Sequence, residues 1–310
     1  MQSSTSKGFK FFLIALVISL PFWWGANIFQ ENLENYFYAQ ISQPFQEIVK
    51  IKIPERTERP KLELEAKSAI SALVNSQGNE NIIFQNNSVE KLPIASLTKL
   101  MTANIVLENY DLSKEIKISK ESVGQEENFG KLQANKIFSV EYLLYPLLME
   151  SSNDAAFSLA NDYEGITEDE FVELMNLKAE ELNLKNTHFI NPTGLDPKEQ
   201  TRIGNYSTTE DLVKFIAKDL LKKPLIWKIL ATPEYNLYGP ELINTNELLK
   251  ETPDILGGKT GWTDKAGGCM ALVLKSQKGN GYFINVILGA SSPQARFKEM
   301  KKLINWLDER

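Results

Sequence analysis

The 310-residue chain holds one histidine, His188, and one cysteine, Cys269. This scarcity excludes an intrachain disulfide and any zinc site built from a cluster of His and Cys ligands. A Cys269 nucleophile would need His188 as its base. Cys269, however, lies in the apolar run CMALVLK, where a free cysteine packs as a small hydrophobe. His188 sits in the turn-rich segment KNTHFINPTG, and no serine shows the strand-turn-helix elbow that would pair with it, so we read it as structural. A basic stripe is also missing. The formal net charge is −6 and the lysines are scattered, which argues against nucleic acid as a partner. No metal or cofactor is expected, and there is no low-complexity tract or fixed-period repeat.

What is present begins with one long uncharged run, FFLIALVISLPFWWGANIF, at 11–29. Its nineteen residues approach the ~20 that span a bilayer as a helix. A cleaved secretory signal would show a shorter apolar core and small residues at the cleavage site, where this chain has Trp23 and Trp24. Lys7 and Lys10 ahead of the run favour a cytoplasmic N-terminus. The expected organisation is a cytoplasmic N-terminus at 1–10, a transmembrane signal-anchor at 11–29, an extracytoplasmic spacer at 30–62 and one domain at 63–310. The protein then sits in the cell membrane with its bulk outside the cytoplasm, or is secreted if the segment is cleaved.

Within 63–310 the stretch SAISALVNSQGNENIIFQ reads as two short strands around a turn. Helices are expected from Ser96 onward, over 137–163, 167–183 and 208–222, and at the C-terminus with Phe297, Met300, Leu303, Ile304 and Leu307 on one face. GCMALVLKSQ and GYFINVILGA read as an antiparallel pair. Strands at both ends with helices between them indicate one mixed α/β domain.

Inside PIASLTKLMTA, Ser96 and Lys99 stand three apart on an apolar helix. Ser96 could be a helix cap and Lys99 could snorkel to water, and Ser-x-x-Lys recurs at Ser4/Lys7 and Ser88/Lys91. The alternative is chemical. A lysine whose pKa is lowered by desolvation or a second cation can replace histidine as the base for a serine nucleophile. Positions three apart share a helix face, so Lys99 can reach Ser96. Two further stretches bear on the choice: Ser151-Ser152-Asn153 holds the only Ser-x-Asn, and Lys259-Thr260-Gly261 is the only Lys-Thr-Gly. Read singly, they are a helix cap and a surface turn.

In the order S-x-x-K, S-x-N, K-T-G, the three match the motif set of β-lactamases and penicillin-binding proteins. From about Ala66 onward the chain resembles the low-molecular-mass penicillin-binding proteins, the serine D-alanyl-D-alanine carboxypeptidases. The resemblance is carried by IASLTKLMTA, SSNDAA, MNLKAEELNLKNTHFINPTGLD, NYSTTEDL, GGKTGWTDKAGG and GASSPQARFKEMKKLINW. It implies a β-lactamase/transpeptidase-like α+β fold, a central antiparallel sheet flanked by helices plus a helical subdomain. It also implies roles: Ser96 the acylated nucleophile, Lys99 its general base, Ser151 a proton relay and Asn153 a group holding peptide and Lys99. Lys259 and Thr260 would face the substrate carboxylate, Gly261 would permit close approach, and Thr263 completes K-T-G-x-T. The backbone N–H groups of Ser96 and Trp262 would form the oxyanion hole. Partners implied are peptidoglycan stem peptides and β-lactams.

The resemblance leaves neighbours open. A D,D-endopeptidase acting on cross-links would use the same residues. A class A β-lactamase needs a glutamate in E-x-x-L-N, and the position three before Leu182 is Ala179. A catalytically idle penicillin-sensing ectodomain would show erosion of Ser96, Lys99, Ser151 or Lys259, and all four are present.

Overall fold

The computed structural model describes residues 61–75, 77–125, 132–199, 203–236, 241–276 and 281–308, together with scattered positions between 17 and 33. The chain divides into two units, Met1–Lys52 and Ile53–Arg310. In the first, the described residues are helical and, apart from the half-buried Ser19, exposed. Most of the expected anchor at 11–29 and nearly all of the spacer at 30–62 lie outside the described residues. Among the described residues no helix is long and apolar enough to cross a membrane.

The second unit opens with the expected hairpin, β1 (Ser68–Asn75) and β2 (Glu80–Asn86). β3 (Leu92–Pro93) leads through a 3-10 turn at Ala95–Leu97 into α1 (Thr98–Asn109). β4 (Glu115–Lys117) pairs with β5 (Ile137–Ser139), and α2 (Val140–Met149), α3 (Asn153–Asn161) and α4 (Glu168–Glu181) follow. β6 (Tyr206–Ser207) pairs back onto β3 and precedes α5 (Thr209–Lys218) and α6 (Pro224–Leu230). The short ladder β7 (Glu234–Tyr235) with β8 (Leu242–Ile243) leads to β9 (Ile255–Thr263), β10 (Gly267–Lys275), β11 (Gly281–Ala290) and α7 (Pro293–Asp308).

The central sheet is antiparallel in the order β2-β1-β11-β10-β9. Side chains alternate across it, and both faces are covered. On β10, Met270, Leu272 and Leu274 join Met300, Leu303 and Ile304 of α7, while Cys269, Ala271 and Val273 join the core shared with α1, α2 and α5. Burial on both faces explains why these strands read as unbroken apolar runs. The two hairpins and the C-terminal helix lie where the sequence places them.

Two expected helices are broken: that over 208–222 ends as α5 at Lys218 and is followed by a separate 3-10 turn at Leu220–Lys222. The helix anticipated over 137–163 is a short strand and two helices, because the chain breaks between Met149 and Asn153. Ser151 there has φ of 64°, in the left-handed region, and Ser152 caps α3 by accepting from the Ala155 N–H at 3.1 Å. Helix α4 starts with a full capping box at Thr167 and Glu170.

The helical lobe is knitted by aromatic packing. The Tyr110 ring stacks on Tyr163 at 3.8 Å and meets Phe171 edge-on at 6.3 Å, with Phe171 fully buried on α4. Phe171→Ala should lower the free energy of unfolding by about 3–5 kcal/mol, measured as a shifted denaturant midpoint.

Candidate active site

Strand register builds the site from one side. Gly261 pairs with Cys269 and Lys259 with Ala271, so both face the side of the sheet that packs on α1. β9 is also the edge strand. A Cβ on Gly261 would lie 3.0 Å from the Ser96 nitrogen and 3.1 Å from the Ala95 Cβ. The bare Cα therefore lets the edge strand lie against the segment that carries Ser96 into α1. The preceding Gly257 and Gly258 have a different reason: a Cβ there would strike Leu230 and Trp227, or Leu272 and Asn246.

Ser96 is partly exposed in the 3-10 turn and makes no cap hydrogen bond, so the cap reading does not describe it. Ala95 before it has φ of 47°. Two non-glycine residues in the left-handed region, Ala95 and Ser151, thus adjoin or lie within the motifs, each at a cost of about 1–3 kcal/mol that the surrounding packing must offset. Gly194 presses on the first: with φ of 84°, its Cβ would fall 2.1 Å from the Ala95 carbonyl oxygen.

Lys99 does not snorkel. It is fully buried, as is nearly all of the first two turns of α1. Its Nζ lies 2.9 Å from Ser96 Oγ, 2.7 Å from Asn153 Oδ1 and 2.5 Å from the Thr193 carbonyl oxygen. Asn153 Oδ1 and the Thr193 carbonyl can only accept, so they take two N–H bonds. A neutral amine then has its lone pair left for the Ser96 hydroxyl hydrogen.

Lys259 is not on a surface turn but buried within β9. Its Nζ donates to Ser151 Oγ and to the Thr260 carbonyl, both at 2.8 Å. Burial above all, then the Lys99 and Arg296 cations, holds its pKa well below the usual lysine range. Two amines buried this close cannot both carry a proton cheaply, and an incoming carboxylate would favour the charge on Lys259. The loop 151–153 thus joins the two lysines, through Ser151 to one and Asn153 to the other.

Thr260 bonds Thr245 hydroxyl to hydroxyl at 2.6 Å, and the Thr245 N–H and hydroxyl both reach the Met149 carbonyl. Thr263 Oγ1 accepts from the Ala266 N–H, so this hydroxyl serves the turn after β9. Trp262 is partly exposed on the edge strand beyond Gly261. Four contributors escaped the sequence reading: Thr193, Thr245, Asn205 and Arg296. Arg296 on α7 is buried and donates Nη1 to the Gly261 carbonyl at 2.7 Å. A cation beside Phe297 on an apolar helix face was its one visible signal.

The other potential nucleophile and base stand apart. Cys269 is fully buried, and that burial pushes its thiol up to about 12. His188 is exposed and exchanges backbone hydrogen bonds with Tyr206. At the segment compared with the class A β-lactamase glutamate, Ala179 is buried on α4 while Glu180 and Glu181 are exposed.

Residues 54–292 match the peptidase S11 family, described as D-alanyl-D-alanine carboxypeptidase. The chain belongs to this family. It is 37% identical over 253 residues to the D-alanyl-D-alanine carboxypeptidase DacF of Bacillus subtilis, an alignment covering 78% of this chain and 62% of that protein. It is 33% identical over 247 residues to a D-alanyl-D-alanine endopeptidase of Pseudomonas aeruginosa, covering 77% and 76%. Among solved structures, the cefotaxime-bound penicillin-binding protein D2 of Listeria monocytogenes matches with TM-score 0.70 and 29% identity over 80% of this chain and 99% of that one. The Streptomyces K15 DD-transpeptidase matches with TM-score 0.71 and 27% identity over 80% and 98%. The fold is thus that of the penicillin-binding transpeptidases, an α+β arrangement around a central antiparallel sheet.

The crowding at Gly194 gives a direct check on how the carboxypeptidase-family site is assembled. Gly194→Ala should destabilise the protein by more than about 1 kcal/mol, seen in thermal unfolding, because the new Cβ meets both an unfavourable φ and the Ala95 carbonyl.

Proposed function

We propose that this chain is a serine-type D-alanyl-D-alanine carboxypeptidase that removes the terminal D-alanine from peptidoglycan stem peptides. The observation that carries the proposal is the Lys99 amine, 2.9 Å from Ser96 Oγ with its other acceptors supplied by Asn153 and Thr193. Lys99 takes the Ser96 proton as the oxygen attacks the scissile carbonyl, and the backbone N–H groups of Ser96 and Trp262 stabilise the oxyanion. Ser151 Oγ accepts from Lys259, so as it passes its own hydrogen to the departing amine of D-alanine it takes one from the Lys259 ammonium. When water cleaves the ester, Lys99 returns its proton to Ser96, and the water gives its own proton back through Ser151 to Lys259. Lys259 and Thr260 meet the terminal carboxylate, Gly261 and Thr263 shape the strand beside it, and water then hydrolyses the Ser96 ester. β-Lactams enter as carboxylate-bearing acylating inhibitors. Support comes from the Listeria relative, which was solved with cefotaxime bound.

Cleavage of cross-links is the second reading, favoured by the two endopeptidases among the relatives, 33% and 31% identical. We place the catalytic domain at 63–310, outside the cytoplasm. The uncharged run 11–29 would anchor it, with residues 1–10 cytoplasmic and 30–62 a spacer. The lysines before the run and the tryptophans near its far end support this topology.

The full-length chain in detergent, given a peptide ending in D-Ala-D-Ala, should release free D-alanine, and Ser96→Ala should release none. Release by both proteins, or by neither, would count against the proposal. In the latter case, cleavage of a cross-linked dimer peptide would establish the endopeptidase reading.

A further inference from the structure

We propose that Asn205 is a positioning residue which, by clamping the loop 190–195 onto α1, fixes the Thr193 carbonyl and so aims the Lys99 amine at Ser96. The inference rests on the function proposed above and adds to it a residue that touches no reacting atom.

The Lys99 amine can face Ser96 only if its other two N–H bonds are held. One goes to Asn153, which opens a helix. The other goes to the carbonyl of Thr193, in a loop that belongs to no helix or strand. That loop needs an internal scaffold, and Asn191 provides it: its Oδ1 accepts from the Gly194 N–H at 2.7 Å and the Thr193 N–H at 3.2 Å, and its Nδ2 donates to the Leu195 carbonyl at 3.0 Å. These bonds shape the turn without saying where it sits relative to α1.

Asn205 supplies that placement. It is buried, and every polar atom of its side chain is engaged. Nδ2 donates to Thr98 Oγ1 and to the Asn191 carbonyl, both at 2.9 Å, while Oδ1 accepts from the Ile190 N–H at 2.7 Å and the Asn191 N–H at 3.3 Å. Its backbone carbonyl accepts from the Ile94 N–H at 3.3 Å, two residues before Ser96. A parallel bond runs from Thr102 Oγ1 to the Pro192 carbonyl at 2.7 Å. Thr98 and Thr102 lie one turn apart on α1 and flank Lys99, so the loop is tied down on both sides of the amine. One side chain therefore links the base's acceptor to the base's own helix, and its backbone reaches the nucleophile segment.

Loss of the clamp lets the Thr193 carbonyl shift, and the amine follows it away from Ser96. Lys259, Thr260 and Gly261 are untouched, so binding survives while acylation slows. The test separates the two in the full-length chain by stopped-flow acylation with a fluorescent penicillin, resolving the acylation rate constant from the dissociation constant of the encounter complex. Asn205→Ala and Thr98→Val should each slow acylation by about 10- to 100-fold with binding changed by less than about threefold, as expected for misplaced rather than missing groups. Thr98→Ser, which keeps the accepting hydroxyl, should restore the parental rate. A merely structural loss lowers the labelled fraction and leaves the rate constant of the labelled molecules unchanged, which would overturn the role. So would weakened binding at an unchanged acylation rate, or a Thr98→Ser protein as slow as Thr98→Val. If Asn205→Ala does not fold, the Thr98 pair decides. A parent that takes up no drug overturns the functional reading itself and this role with it, whereas a parent that acylates beside unaffected variants overturns the role alone.

Discussion

Everything in this site depends on burying one amine among acceptors from separate parts of the chain. Lys99 comes from α1, Asn153 from α3 and Thr193 from a loop 94 residues after Lys99. A lysine amine in such a place has little water to solvate a charge, and its contacts are with Ser96, Asn153 and the Thr193 carbonyl. Placing Lys259 across the Ser151–Asn153 loop adds a second buried amine and divides the labour. One lysine is held beside a hydroxyl that it can deprotonate, and the other lies on the edge strand where a carboxylate would come to rest. In the proposed mechanism, a protein with a single, exposed histidine gains a base by arranging the environment of a lysine.

The backbone bears the strain of that arrangement. Ala95 and Ser151 adopt left-handed conformations, one just before Ser96 and one in the loop joining the two lysines. Neither would persist in a loose surface turn. Gly194 packs against the first, and the end of α2 with the cap of α3 enforces the second. Glycine at 261 serves the same geometry from the sheet side, since any side chain there would push β9 away from the Ser96 nitrogen. The rigid antiparallel sheet, covered on both faces, is what makes such close approach reproducible.

Legibility in the sequence followed how each residue acts. Apolar periodicity exposed both hairpins, α1 and α7, because the core reads side chains. It misjudged 137–163, where apolar spacing continues across a break marked only by two serines and an asparagine, since α2 and α3 bury against the same core. Taken singly, the K-T-G segment could be a surface turn, whereas its glycines allow close packing inside a strand. Ser96, Lys99, Ser151, Asn153 and Lys259 were visible as ordered motifs, and the structure brings them together. Thr193 was invisible because it contributes a carbonyl, which any residue has. Asn205 was hidden for another reason: a buried asparagine bridging loop and helix has no spacing rule, and its partners are known only once the chain has folded.

The account stands or falls on Lys99 as the base for Ser96. The most direct measurement is the rate of covalent attachment of a penicillin to the folded Lys99→Ala protein, followed by intact mass. Truncation leaves Ser96, Lys259 and the edge strand in place, so the account predicts a folded protein that acquires essentially no adduct on Ser96 while the parent is labelled to one drug per chain. Labelling of Lys99→Ala at a rate close to the parent's would contradict it and would require another group to take the serine proton.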